Sequence, residues 1–219
     1  MKISREKVLD ETTIFLKAIL AGLFVGISGW LYLSIDNQYI GAAIFSLALL
    51  SICALDLRLF TSKSGYIIDS RRFYFIDLIF IIIGNVLGVL LVGSIMLGVA
   101  KDTVIAHGVE YFEMKTNLEW YVALGTAVFC GILMHLAGFI YKKVNNHVIS
   151  GLVIVGAVMT FLLAGFEHSI ANVLYYTLGG WGWKALGYFL LVALGNMIGA
   201  VVLELILNLS INRKLKIND

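Results

Sequence analysis

LAGFEHSIANVLYYTLGG, residues 163–180, places Glu167 and His168 side by side between apolar flanks. The preceding SGLVIVGAVMTFLL, residues 150–163, carries no charge. In a membrane interior each ionisable side chain costs about 2.5–3.5 kcal/mol on insertion scales. Two in succession need a reason. A chain retains them where they face a protein interior or a pathway instead of lipid.

Composition supports a membrane setting. Of 219 residues, 60% are hydrophobic and 14% charged, where soluble proteins carry about 25% charge. The mean hydropathy is +0.94. The chain reads as an integral membrane protein. Its net charge of +2 says little about partners, because placement outweighs the sum. Cys53 and Cys130 lie in apolar runs and read as small core residues, not as a disulfide or metal site. MKISREKVLDETT, residues 1–13, is too polar for a cleaved signal peptide and reads as an amphipathic or flexible lead-in.

A span takes about 20 mainly apolar residues. Six segments qualify, at about 14–35, 39–60, 74–99, 119–141, 149–177 and 184–209. The connections are DNQ (36–38), TSKSGYIIDSRR (61–72), KDTVIAHGVEYFEMKTN (101–117), KKVNNH (142–147) and GGWGW (179–183). The apolar runs are continuous, which disfavours a membrane β-barrel. With the N-terminus inside, the inner connections and ends collect Lys2, Arg5, Lys7, Lys63, Arg71, Arg72, Lys142, Lys143, Arg213, Lys214 and Lys216. The outer side receives Lys101, Lys115 and Lys184. That asymmetry predicts a multi-pass plasma-membrane protein with both termini in the cytoplasm.

IIIGNVLGVLLVG (81–93) and LVALGNMIGAVVLE (191–204) share G-N-x-x-G, with Asn85 and Asn196 in matching places. One lies in the third span and one in the sixth, so spans 1–3 and 4–6 read as two copies of one unit. Three spans is an odd number, so the second copy enters upside down. Inverted repeats are a transport architecture, with the site near the midplane at interrupted helices. The interruptions are expected in LDLRLFTS (55–62) and GFEHS (165–169). A single all-α transport domain is predicted, with repeat one at about 14–99 and repeat two at about 119–209. Without a proline in the chain, such breaks must come from Gly and polar residues.

GFEHSIANV (165–173), LFTS (59–62), the two GN-x-x-G blocks and FLKAILAGLFVGI (15–27) together resemble the formate/nitrite transporter family. The resemblance covers nearly the whole chain. It implies an aquaporin-like protomer of six spans with interrupted helices 2 and 5, assembled as a homopentamer that passes small monovalent anions. By that resemblance His168 is the central pore histidine and Thr61 the threonine facing it from the span-2 loop. Phe45, Leu49, Leu59, Phe60 and Phe161 match apolar constriction positions. Asn196 matches the polar partner from span 6, and Lys115 the outer-vestibule lysine. Glu167 would orient the histidine region or hold Lys115. Arg58 stands where the family usually has an acidic residue, and would draw anions to the inner mouth, pair with Asp56 or snorkel. Gly131 aligns with a family asparagine.

Lys115, His107 and His147 read as loop residues, His135 as packing or inner-mouth, and Asn85 as helix packing. YYTLGGWGW (175–183) reads as an interfacial aromatic belt. The implied partners are a small monovalent anion such as formate, nitrite or hydrosulfide, protons and the bilayer, with no nucleic acid and no cofactor. Three other readings compete. A membrane enzyme using the Glu-His pair lacks HExxH, a metal-spaced His cluster or paired carboxylates. An aquaporin-like channel for urea or ammonia would lack Asn-Pro-Ala, since the chain has no proline. A poreless assembly protein leaves the polar residues at both interruptions without a purpose.

Overall fold

The computed structural model describes residues 10–68 and 74–217, with side chains to residue 210. Lys2, Arg5, Lys7, Arg71 and Arg72, used above for orientation, lie outside the described residues. The side chains of Arg213, Lys214 and Lys216 lie outside them as well. Among the described residues the regular structure is all helical, without a strand. In chain order the helices are α1 (Glu11–Leu33), α2 (Gln38–Ala54), α3 (Phe60–Lys63), α4 (Tyr74–Val99), α5 (Asp102–Thr116), α6 (Trp120–Lys143), α7 (His147–Leu163), α8 (Ser169–Gly179) and α9 (Trp183–Ile217). A 3-10 turn, Ser64–Ile68, continues α3.

Four helices, α1, α4, α6 and α9, are long and apolar enough to cross a membrane. α2 and α7 are apolar but have 17 residues each. At 1.5 Å per residue each reaches about 25 Å, short of a hydrocarbon core about 30 Å thick. α1 lies along α4, and α6 along α9. Glycine permits both approaches: a Cβ on Gly22 would overlap the Asn85 carbonyl, and one on Gly131 the Asn196 carbonyl. Gly131 therefore faces the α9 backbone and leaves no room for an asparagine side chain.

One connection read from the sequence is corrected. Within residues 101–117, Asp102–Thr116 form helix α5, which carries both His107 and Lys115; His147 likewise opens α7 instead of lying in a loop. The segment is too polar to span because Asp102, Glu110 and Glu113 are exposed on it. Its other edge is small and apolar, with Val104 and Gly108 buried, and packs on α8. A Cβ on Gly108 would overlap Leu178, and one on Gly179 would overlap Phe112.

The two halves of the chain repeat the same bonds. Asn37 Oδ1 accepts from the N–H groups of Tyr39 and Ile40 and caps α2. Asn146 Oδ1 accepts from those of Val148 and Ile149 and caps α7. Beyond α2 the Leu57 N–H donates to the Ile52 carbonyl, and beyond α7 the Phe166 N–H donates to the Phe161 carbonyl. Between each donor and its helix the chain turns through a positive φ, 47° at Asp56 and 70° at Gly165. Residues 55–59 and 164–168 are outside helix. Each segment is braced by the asparagine of a GN-x-x-G block. Asn85 Oδ1 accepts from the Phe60 N–H, and its Nδ2 donates to the carbonyls of Ala18 and Arg58, all at 2.8 Å. Asn196 Oδ1 accepts from the Ser169 N–H, and its Nδ2 donates to the carbonyls of Ala127 and Glu167, again at 2.8 Å. Buried backbone groups freed from helix are thereby paired, as an apolar setting requires.

Candidate functional site

The two non-helical segments bring different residues to equivalent places. Leu59 precedes α3, and His168 precedes α8. His168 caps its helix with the ring: Nδ1 accepts from the Ala171 N–H at 3.1 Å. An accepting Nδ1 carries no proton, so the neutral ring holds its hydrogen on Nε2. Nε2 lies 3.1 Å from Thr61 Oγ1, which is itself fully buried. The pair offers one N–H and one freely rotating O–H, beside the positive end of the α8 dipole.

Glu167 is 1% exposed. A carboxylate so buried is stable only with close partners, and it has two. Lys115 Nζ donates to Oε1 at 2.7 Å, and Asn172 Nδ2 donates to Oε2 at 2.6 Å. α5 thus delivers Lys115 to the segment that carries His168. Asn172 escaped the sequence reading. Its signal was available: it lies one helical turn beyond His168, inside the quoted stretch.

Apolar rings flank the histidine. Phe161 lies 5.3 Å from the His168 ring, Phe45 lies 5.9 Å from Phe161, and Tyr32 lies 6.3 Å from Phe45, all between centroids. Tyr32 and Tyr111 share a hydroxyl contact of 2.9 Å, and Tyr111 stacks on Tyr175. Leu49, Leu59 and Phe60 are buried in the same core. Asn196 reaches backbone only through its amide, as described above.

Arg58 belongs to a separate cluster. Its guanidinium lies 3.6 Å from Asp56, which also faces Lys17 at 3.4 Å and Lys63 at 3.5 Å. Lys63 is buried, and with Asp56, Cys53, Tyr66 and Lys142 it lines a cavity of about 270 Å³. Neither Lys63 nor Lys17 was singled out as a site residue from the sequence.

A family model described as formate/nitrite transporter matches residues 3–209. The chain belongs to the formate/nitrite transporter family. Two solved structures share the fold. One, described as a pentameric formate channel with formate bound, is 22% identical, with a TM-score of 0.72 over 88% of this chain and 93% of that one. The other, described as an FNT family ion channel, is 22% identical, with a TM-score of 0.75 over 87% of this chain and 86% of that one. No curated protein matches by sequence. In this formate/nitrite transporter Arg58, Asp56 and Lys63 form one charged cluster beside the α3 segment.

Proposed function

We propose that this chain is a channel for small monovalent anions and their conjugate acids, with His168 and Thr61 as its polar station. In this reading six spans form two inverted repeats, the second and fifth spans are interrupted, and protomers assemble as a homopentamer. Both termini face the cytoplasm, and no cofactor or catalytic step is involved.

The observation that carries the reading is the buried Thr61–His168 contact placed against Phe161 and Phe45. A bare anion loses its hydration in such apolar surroundings at a cost of several kcal/mol, and a neutral acid loses far less. Lys115, partly exposed beside Glu167, attracts the anion to the outer side. Phe45, Leu49 and Phe161 form one apolar barrier, and Leu59 and Phe60 a second. Between them the Nε2–H of His168 and the Thr61 hydroxyl hydrogen-bond the permeant. A proton added at His168 Nδ1 would displace the Ala171 bond and loosen the start of α8. Hydrogen bonding from the neutral ring is therefore favoured over transfer of a ring proton. Asn196 and Glu167 act through the segment: the amide fixes its backbone, and the carboxylate holds Lys115. On the opposite side Arg58 is held by Asp56.

The same neutral donors suit urea, so a neutral-solute channel is the second reading. Uptake of formate, nitrite, hydrosulfide and urea into liposomes at acidic and neutral pH separates the two. Anion uptake that rises at acidic pH is expected. Urea uptake without anion uptake would reject the first reading.

A further inference from the structure

Beside α3 lies a buried titratable pair that the pathway above does not use. His135 on α6 is fully enclosed, and Glu204 on α9 nearly so. Their Nε2 and Oε2 atoms are 2.7 Å apart. On the other side of the ring, Nδ1 lies 3.1 Å from the Ser62 carbonyl. Ser62 directly follows Thr61, whose hydroxyl meets His168. The loop is pressed onto the ring: a Cβ on Gly65 would overlap both His135 and the Ala200 carbonyl.

Hydrogen-bond complementarity fixes the protons. A carbonyl only accepts, so Nδ1 carries a hydrogen. A bare Nε2 facing a bare carboxylate at that distance would set two acceptors against each other. The contact therefore holds one further proton, on the ring or on the carboxyl, and the two forms share it. Loss of that proton leaves one ring hydrogen for two acceptors; the carboxylate is the stronger, so the hydrogen moves to Nε2 and the Ser62 carbonyl is left facing a bare Nδ1.

The half-molecule asymmetry explains why such a brace is needed. α8 has 11 residues, and α3 has four. One turn of helix does not sustain itself. α3 is held at its start by Asn85 and at Ser62 by His135. We propose that His135 and Glu204 are a positioning pair for Thr61, closed by one shared proton and opened by its loss. This rests on the reading of Thr61 and His168 as the polar station.

Glu204 lines a cavity of about 170 Å³ together with Tyr66, Lys142, Lys143 and Asn208 among others. Among the described residues, the charged and titratable groups around the pair are Lys63 on α3, Tyr66 in the 3-10 turn with its ring 4.8 Å from that of His135, Lys142 and Lys143 on α6, and Asp56 across the neighbouring cavity. Lys63 faces Asp56, Lys142 lies over the Tyr66 ring at 4.9 Å, and Lys143 lies over Phe139 at 5.8 Å.

The test compares Glu204→Gln with Glu204→Met in the full-length protein in liposomes. Gln donates an amide hydrogen to a bare Nε2 and closes the contact without a shared proton. Met has similar size and cannot. Formate flux in Glu204→Gln should match the wild type at acidic pH, and the ratio of the two should change by about fivefold as pH rises. Taking the ratio removes the pH dependence of formate itself. Glu204→Met should be slower than Glu204→Gln at every pH, and slower than the wild type at acidic pH. A constant wild-type to Glu204→Gln ratio overturns the proposal, and so does an unimpaired Glu204→Met. If Glu204→Met does not assemble, the ratio alone decides. The nuclear resonance of isotope-labelled His168 Nε2 reports the Thr61 contact without transport. At acidic pH it should match the wild type in Glu204→Gln and shift in Glu204→Met; a match in both, or a shift in both, overturns the proposal. A wild type that passes no anion rejects the channel reading, and the resonance still decides the pair.

Discussion

At the scale of single residues, the adjoining pair Glu167–His168 divides its labour. Glu167 faces Lys115 and Asn172, and His168 faces Thr61 and the start of α8. Removing only one charge of a buried ion pair costs about 3–5 kcal/mol, while removing both is often near neutral. Lys115→Met should therefore lower the thermal stability of the assembled protein, and Lys115→Met with Glu167→Gln should recover most of the loss. Thermal melts of the three proteins check this. Thr61→Val keeps the side chain's shape and removes its hydroxyl. A hydrogen bond to a charged group is worth about 1.5–3 kcal/mol, so formate flux should fall by roughly tenfold or more, with Thr61→Ser restoring most of it. The sequence made Glu167 and His168 conspicuous because ionisable groups stand out in an apolar run. Asn172 did not stand out, since an amide one turn into a helix reads as an ordinary polar position. Its role depends on the bend before α8, which turns the Glu167 carboxylate back onto the first turn of that helix.

At the scale of elements, the GN-x-x-G blocks were visible as a repeat, and their bonds were not. Asn85 was read as packing and Asn196 as a pathway group, yet the two make the same set of three backbone bonds. Periodicity cannot report a side chain that bonds backbone far along the chain. Each bond is worth about 1 kcal/mol net, so Asn85→Leu and Asn196→Leu should destabilise by similar amounts, roughly 2–3 kcal/mol each. A large difference between them in denaturation experiments would contradict the equivalence. Helix α5 was illegible for another reason. It is too polar for a span and has only a narrow apolar edge, so its helicity depends on the α8 surface it meets. Gly131→Ala tests the close approach of α6 and α9. Overpacking costs about 1–3 kcal/mol, and a loss of folded yield is expected, whereas Gly125→Ala, where a Cβ meets open space, should be tolerated.

At the scale of the whole molecule, hydropathy gave the membrane class, and the GFEHSIANV and GN-x-x-G blocks gave the family. The charge count that orients the chain draws largely on residues outside the described ones, so topology rests on the sequence asymmetry. A cysteine-reactivity map of Lys142 and Lys184 positions in intact cells should place them on opposite sides of the membrane. The central claim is that His168, with its hydrogen on Nε2, is the donor that lets a small anion pass the apolar core. The most direct measurement is formate flux in liposomes for wild type and His168→Phe, across a range of pH, with assembly verified for both. His168→Phe removes the ring nitrogen and preserves an aromatic ring beside Phe161. The expected result is a fall in formate flux of roughly tenfold or more at every pH, in line with a charge-assisted hydrogen bond. Equal fluxes for the two proteins at all pH values would contradict the claim.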